Sequence, residues 1–127
     1  MRHRKKGYTL DRKAGPRKAL LVSLACALIE HGRITTTHAR AKAVQPLVER
    51  SVTMAKTPTL AHHRLLVARL GGNRACADSL LKTIAPQFAK RPGGYTRIFR
   101  LTQRKGDGAP MSVIAWTEVV GAPAKTV

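Results

Sequence analysis

The run Arg91-Pro92-Gly93-Gly94-Tyr95-Thr96-Arg97-Ile98, continuing as Phe99-Arg100-Leu101-Thr102-Gln103-Arg104, sets a rigid turn directly before an extended segment. Gly93-Gly94 lets the backbone adopt φ > 0 and approach a neighbouring surface closely. The β-branched and aromatic residues that follow favour a strand. Lys105-Gly106-Asp107-Gly108 is a second turn signal. Beyond it Met111, Val113, Ala115, Thr117 and Val119 alternate with Ser112, Ile114, Trp116, Glu118 and Val120. That pattern predicts the second arm of a hairpin, apolar enough on both faces to pack on helices and on neighbouring strands.

Upstream the period changes from two to 3.6. Pro16 suits the first position of a helix whose apolar face is Leu21, Leu24, Ala25 and Leu28, ended by Gly32. Arg33-Ile34-Thr35-Thr36-Thr37 reads as a short strand. Thr37 then caps a second helix carrying Ala41, Val44, Val48, Val52 and Ala55, and Pro46 inside it predicts a bend. Thr57-Pro58 reads as the start of a third helix through Leu60, Leu65, Leu66 and Leu70. Gly71-Gly72 breaks that helix. Asn73 caps a fourth with Ala77, Leu80, Leu81 and Ile84, which Pro86 closes. The expectation is an α/β (α+β) domain of two layers, in the order helix, strand, three helices, β-hairpin, with a three-stranded mixed sheet. Residues 16–120 form this domain, residues 1–15 an extended basic arm, and residues 121–127 a flexible tail.

The charge is the outlier. Twenty-four Lys and Arg against six Asp and Glu give a formal net charge of +18 on 127 residues, so self-repulsion calls for a polyanionic partner. Eight of the cations lie within residues 1–18 and six between Lys90 and Lys105, where no acid occurs. In the arm, Tyr8 and Leu10 interleave with the charge, which favours a segment that orders on its partner over a frayed tail. No apolar run is long enough to span a bilayer. The apolar stretch Ala19–Ile29 is followed by Glu30-His31-Gly32-Arg33 in place of a small-residue cleavage site, which argues against export. Cys26 and Cys76, far apart in helical runs, are expected to be buried free thiols in a reducing compartment.

Catalytic chemistry finds little support. No two of the six acids have the spacing of a paired general acid and base. Ser23 and Ser79 lack the turn of a nucleophile elbow. Adjacent His62 and His63 point in different directions without matching ligands, and His3, His31 and His38 are scattered. The glycine pairs do not open a phosphate loop. No cofactor or metal is expected. What remains is a binding protein, and without a zinc finger, basic heptad helix or recognition-module aromatic motif the polyanion reads best as folded RNA recognised through shape and phosphate. A nonspecific duplex-DNA protein of the nucleoid and an enzyme acting on RNA are the rivals at this point.

Met1-Arg2-His3-Arg4-Lys5 with Leu10-Asp11-Arg12, Arg33-Ile34-Thr35-Thr36-Thr37 followed by Arg40-Ala41-Lys42, and Ala85-Pro86-Gln87-Phe88-Ala89 stand in that order in the chain. Together with the Gly93-Gly94-Tyr95-Thr96-Arg97 block and Arg104-Lys105-Gly106-Asp107-Gly108-Ala109-Pro110-Met111, they resemble the bacterial large-subunit ribosomal protein L-seventeen family over residues 1–120. The resemblance implies a small structural protein embedded in large-subunit ribosomal RNA near the exit of the peptide tunnel. It further implies neighbouring ribosomal proteins as partners, no membrane, no small-molecule substrate, and a place in cytoplasmic or, less typically, organellar ribosomes. The sequence departs from that pattern at Asp11, where Asn is expected, and at Ala14-Gly15-Pro16, where a Ser-rich segment is expected.

The RNA-binding set expected on these grounds is Arg2, His3, Arg4, Lys5, Lys6, Arg12, Lys13 and Arg17 from the arm and its junction. Arg40 and Lys42 are expected from the second helix, and Tyr95, Arg97, Arg100 and Arg104 from the hairpin, with Gly93 and Gly94 allowing close backbone approach. Strand alternation sets Arg97 opposite Arg100 and Arg104, so one flat RNA surface cannot touch all three without a bulge or a sheet edge.

Overall fold

In the computed structural model, residues 3–118 are described. Arg2 and the 121–127 tail lie outside them. The chain forms α1 (Ala14–His31), β1 (Arg33–Thr37), α2 (His38–Ala55), α3 (Leu60–Arg69), α4 (Arg74–Ser79), β2 (Thr96–Arg100) and β3 (Met111–Trp116). This is the expected α+β sequence of elements.

Local chemistry accounts for most boundaries. Gly32 takes φ 78° and donates its N–H to the Leu28 carbonyl, which ends α1 and turns the chain straight into β1. Asn73 accepts from the Cys76 N–H and caps α4. α1 begins at Ala14, two residues before the proline expected to open it, so Pro16 sits third in the first turn, where no intrahelical donor is required. α2 runs unbroken across Pro46. The cap of α3 is Thr59, which accepts from the His62 N–H at 3.2 Å, and not Thr57; the Thr57 carbonyl instead lies 2.7 Å from His62 Nδ1. Pro86 does not simply close α4. A π turn (Leu80–Ile84), with Ala85 N–H bonded to the Leu80 carbonyl, passes into a 3-10 turn (Ala85–Phe88) that holds Pro86 near its start. A proline there lacks the donor that a continuing α-helix would need, and the looser and tighter turns absorb the mismatch.

The sheet corrects the expectation of mixed pairing. Its order is β1-β3-β2, and both ladders are antiparallel. The long helical connection from β1 to β2 would permit a parallel pair, but β3, apolar on both faces, takes the centre. Its inward residues Ser112, Ile114 and Trp116 are buried. The hairpin continues past the strands, with Leu101 N–H donating to the Met111 carbonyl and Arg104 N–H to the Ala109 carbonyl, both at 2.9 Å.

Helix α2 is the spine of the core. Ala41, Val44, Val48, Val52 and Ala55 are all buried. Phe88 stands between Tyr95, ring centroids 5.3 Å apart at an interplanar angle of 64°, and Trp116 at 5.8 Å. Cys76 is buried as expected, whereas Cys26 is only partly so. Burial and the neighbouring Cys26 push the Cys76 thiol up to about 12. His63 Nε2 lies 2.9 Å from Asp78 Oδ1, fastening α3 to α4. That bond holds the Asp78 carboxyl below its ordinary value. A lowered carboxylate stabilises the fold above its unfolded pKa of 3.8, and this contribution fades as pH falls through the lower folded value. Asp78→Asn should therefore lower the melting temperature at neutral pH, and the gap to the unmodified protein should close in acid. Circular-dichroism melts of both proteins across that range check it.

Candidate nucleic-acid interface

A cationic groove lies between α1, α2 and α3. One cavity, of about 600 Å³, is lined by Arg17, Lys18, Arg50 and Arg69 around Ala14, Leu21, Val22, Ala43, Leu47, Leu65 and Ala68. A second, of about 480 Å³, shares Arg17, Leu21, Ala43 and Arg50 and adds Lys6, Gly7, Tyr8, Lys42 and Pro46. Six cationic side chains thus surround an apolar floor, and among the described residues no carboxylate lines it. The helix period explains the convergence. Lys42, Pro46 and Arg50 recur every four residues on α2, beside the stripe that fills the core. Arg50 Nε donates to the Pro46 carbonyl at 3.1 Å, which holds its guanidinium along the helix.

The arm approaches this groove without a regular element of its own. Leu10 and Asp11 take φ 53° and 49°, and Arg12 N–H donates to the Thr9 carbonyl at 3.2 Å, making a tight turn. Asp is one of the few non-glycine residues that visits this left-handed region readily, and Asn, expected there from the family pattern, is the other. Arg17 Nη1 then donates to the Arg12 carbonyl at 3.0 Å, joining the turn to the start of α1. Lys6 and Tyr8 reach the groove wall, with Tyr8 half exposed. His3, Arg4, Lys5, Arg12 and Lys13 are exposed along the same segment.

The acids, by contrast, are largely engaged within the fold. Glu49 accepts from Thr96 Oγ1 at 2.9 Å, Asp78 meets His63, Asp107 meets Arg104, and Glu118 lies 3.9 Å from Arg91. Among the described residues, these acids temper the positive field away from the groove, not inside it.

The hairpin residues divide among separate surfaces. Arg97 is exposed on the outer face of the sheet. Arg100 lies on the helix side, 3.5 Å from His38 Nε2, whose Nδ1 is 2.8 Å from the buried Ser112 Oγ. Arg104 is at the hairpin tip, where its Nε bonds Asp107 Oδ1 at 3.0 Å. That contact, reinforced by the Ala109 N–H, holds Asp107 well below the usual carboxylate range. The structure accordingly brings Lys6, Arg17 and Lys42 together in the groove but leaves Arg97, Arg100 and Arg104 outside it. Arg40 is half-buried on α2 and does not line either cavity.

Gly94 takes φ 62°, and a Cβ at Gly93 or Gly94 would meet nothing within 4 Å, so this backbone is open to a close approach. Tyr95 presents no surface to a partner, because its ring is buried at 1 % exposure. Lys56 sits 4.7 Å above that ring and donates to the Arg91 carbonyl, tying the glycine turn to α2. Burial raises the Tyr95 phenol, but the Lys56 and Thr53 hydrogen bonds outweigh it and leave the group below its ordinary value.

Lys18, Arg50 and Arg69 line the groove although none of them stands in the expected RNA-binding set. The spacing of Arg50 from Lys42, two helical turns, was the available signal for one of them. Among the described residues, no three His, Cys, Asp or Glu side chains gather as a metal site, and no helix is long and apolar enough to cross a membrane.

Comparison with known proteins converges on one family. A family model described as Ribosomal protein L17 matches residues 20–117. The chain is 54% identical over 114 residues to the large ribosomal subunit protein bL17 of Thermomicrobium roseum, covering 90% of this chain and 97% of that one. It is 51% identical over 119 residues to the protein of the same name from Persephonella marina, covering 93% and 96%. The counterpart from Gemmatimonas aurantiaca is 50% identical over 114 residues, covering 90% and 96%.

Proposed function

Because the chain belongs to the ribosomal protein L17 family, we propose that its basic arm and cationic groove bind large-subunit ribosomal RNA. The chain is a structural constituent of the large ribosomal subunit and not an enzyme. The groove is the observation that carries the RNA reading: six cations, with no carboxylate among the described lining residues, form a surface complementary to a polyanion. Its apolar floor accepts sugar and base edges, while the lysines and arginines sit on phosphates that RNA folding would otherwise force together. Counterions released from those phosphates drive association.

The proposed contacts are Arg2, His3, Arg4, Lys5, Lys6, Arg12 and Lys13 along the arm, and Arg17 and Lys42 in the groove, joined by Lys18, Arg50 and Arg69. Arg40, Arg97, Arg100 and Arg104 are secondary contacts, with backbone approach at Gly93 and Gly94. Tyr95 supports that turn from within the core. A position near the exit of the peptide tunnel, among neighbouring ribosomal proteins in the cytoplasm, rests on the family resemblance.

Photo-crosslinking in intact, salt-washed large subunits tests the proposal, with adducts mapped to both protein and RNA residues. RNA adducts are expected on peptides from the arm and from residues 42–50. Adducts confined to other parts of the chain would remove the groove from the interface.

A further inference from the structure

The outer face of the sheet belongs to neither the groove nor the hairpin tip. The pairing register sets Arg33, Ala115 and Arg97 in one cross-strand row, and Thr35, Val113 and Phe99 in the next. A third row follows with Thr37, Met111 and, through its bond to the Met111 carbonyl, Leu101. Neighbouring strand positions Thr36, Thr96, Ser112 and Ile114 are buried beneath the helices, so these rows face the other way. Phe99 is 51% exposed and Leu101 47%. Among the described residues, no acid stands in these rows, and both of their charges are arginines.

The distribution of aromatic side chains sharpens this. The chain has two Phe, two Tyr and one Trp. Phe88, Tyr95 and Trp116 fill the core, leaving Tyr8 in the cationic groove and Phe99 one row from two guanidinium groups. Half of Phe99 is left to solvent, beside its cross-strand partner Val113.

We propose that this face is a stacking platform for unpaired nucleotides of ribosomal RNA. A base stacks on the Phe99 ring, and Arg97 takes the flanking phosphate. Arg97, two residues along the same strand, is about 6.7 Å from Phe99, whereas Arg33, on the opposite edge strand beyond β3, is about 12 Å away and serves a phosphate further along the RNA. An RNA duplex keeps its base faces covered, so an exposed ring on a sheet selects unpaired bases. Charge complementarity selects RNA over a protein surface, since the face offers only positive charge within a chain of net charge +18. The proposal rests on the RNA-binding reading above and adds a second site that recognises a different form of the polymer.

Fluorescence anisotropy with the full chain tests it, using a short oligouridine as the unpaired probe and a short RNA hairpin as the duplex probe. Phe99→Ala should weaken oligouridine binding roughly 5- to 150-fold, the range for one lost stack, and leave hairpin binding unchanged. Phe99→Leu keeps the apolar bulk without the π-face and should show most of the same loss. Arg97→Ala should reduce the salt slope for oligouridine by about 0.7. Lys42→Ala with Arg50→Ala, in the groove on the other side of the sheet, should weaken the hairpin and leave oligouridine binding largely unchanged. Wild-type affinity for oligouridine in Phe99→Leu would overturn the platform while leaving the groove intact. Failure of the unmodified chain to bind either probe would bring down the RNA reading itself, and the platform with it. A photo-crosslinker placed at position 99 should attach to RNA in washed large subunits; attachment to a protein would instead make the face a protein-docking surface and overturn the proposal.

Discussion

Simultaneous Arg17→Ala, Lys42→Ala and Arg50→Ala substitution should lower affinity for large-subunit RNA by about two to three orders of magnitude at roughly 0.1 M salt. Each phosphate contact contributes about 0.7–0.9 to the slope of log affinity against log salt, so three lost contacts flatten that slope by about 2–3. The three side chains come from α1 and α2 and all line the second cavity, and Arg17 and Arg50 also line the first. Arg17 and Lys42 are exposed or half-exposed, and Arg50 is exposed with one bond to its own helix, so the fold should survive their loss. Binding titrations at several salt concentrations separate the outcomes. A loss of affinity with an unchanged slope would mean that the groove shapes the protein without touching phosphate.

Phe88→Ala acts on the fold instead. The side chain is fully buried between Tyr95 and Trp116, and it anchors the 3-10 turn that ends the helical half of the domain. Removing a buried phenyl ring costs about 3–5 kcal/mol, from lost transfer energy and from the cavity left behind. Domains of this size are stable by only about 5–15 kcal/mol. The melting temperature should fall by roughly 10–25 °C, measured by calorimetry or circular dichroism. Phe88→Leu should lose much less, because it refills most of the volume. The variant should also loosen the glycine turn, since Tyr95 packs on Phe88 and carries Gly94 at its flank.

Where one residue's chemistry sets the local structure, the sequence was sufficient. Gly32, Asn73 and the Arg33–Thr37 run stand at the expected places because a left-handed cap, an Asx cap and a β-branched strand each need only near neighbours. The apolar spacing of α2 likewise yielded its buried stripe residue by residue. Thr59 displaced Thr57 as a cap because either threonine satisfies the local rule, and the turn holding Thr57 decides between them. Pairing in the sheet was less legible, since the central place of β3 depends on which strand is apolar on both sides once all three are assembled. The groove was least legible. Its cations lie on the arm, α1, α2 and α3, and no window of sequence contains them together. Tyr95 shows the opposite error: it sits in the most distinctive motif of the chain, yet its ring serves the core.

The position of β3 at the centre of the sheet also bears on how the protein is made. Synthesis delivers β1 and then β2, but neither has its native partner until residues 111–116 have been added. The bond between His38 and Ser112 spans 74 positions of the chain. Helices α1 to α4 can form locally while translation proceeds, whereas the sheet must wait for its middle strand. During that interval two unpaired strands and a strongly basic arm are present on one nascent chain, exposed to aggregation and to any nearby polyanion. Completion of β3 is therefore the step that commits this polypeptide to its fold.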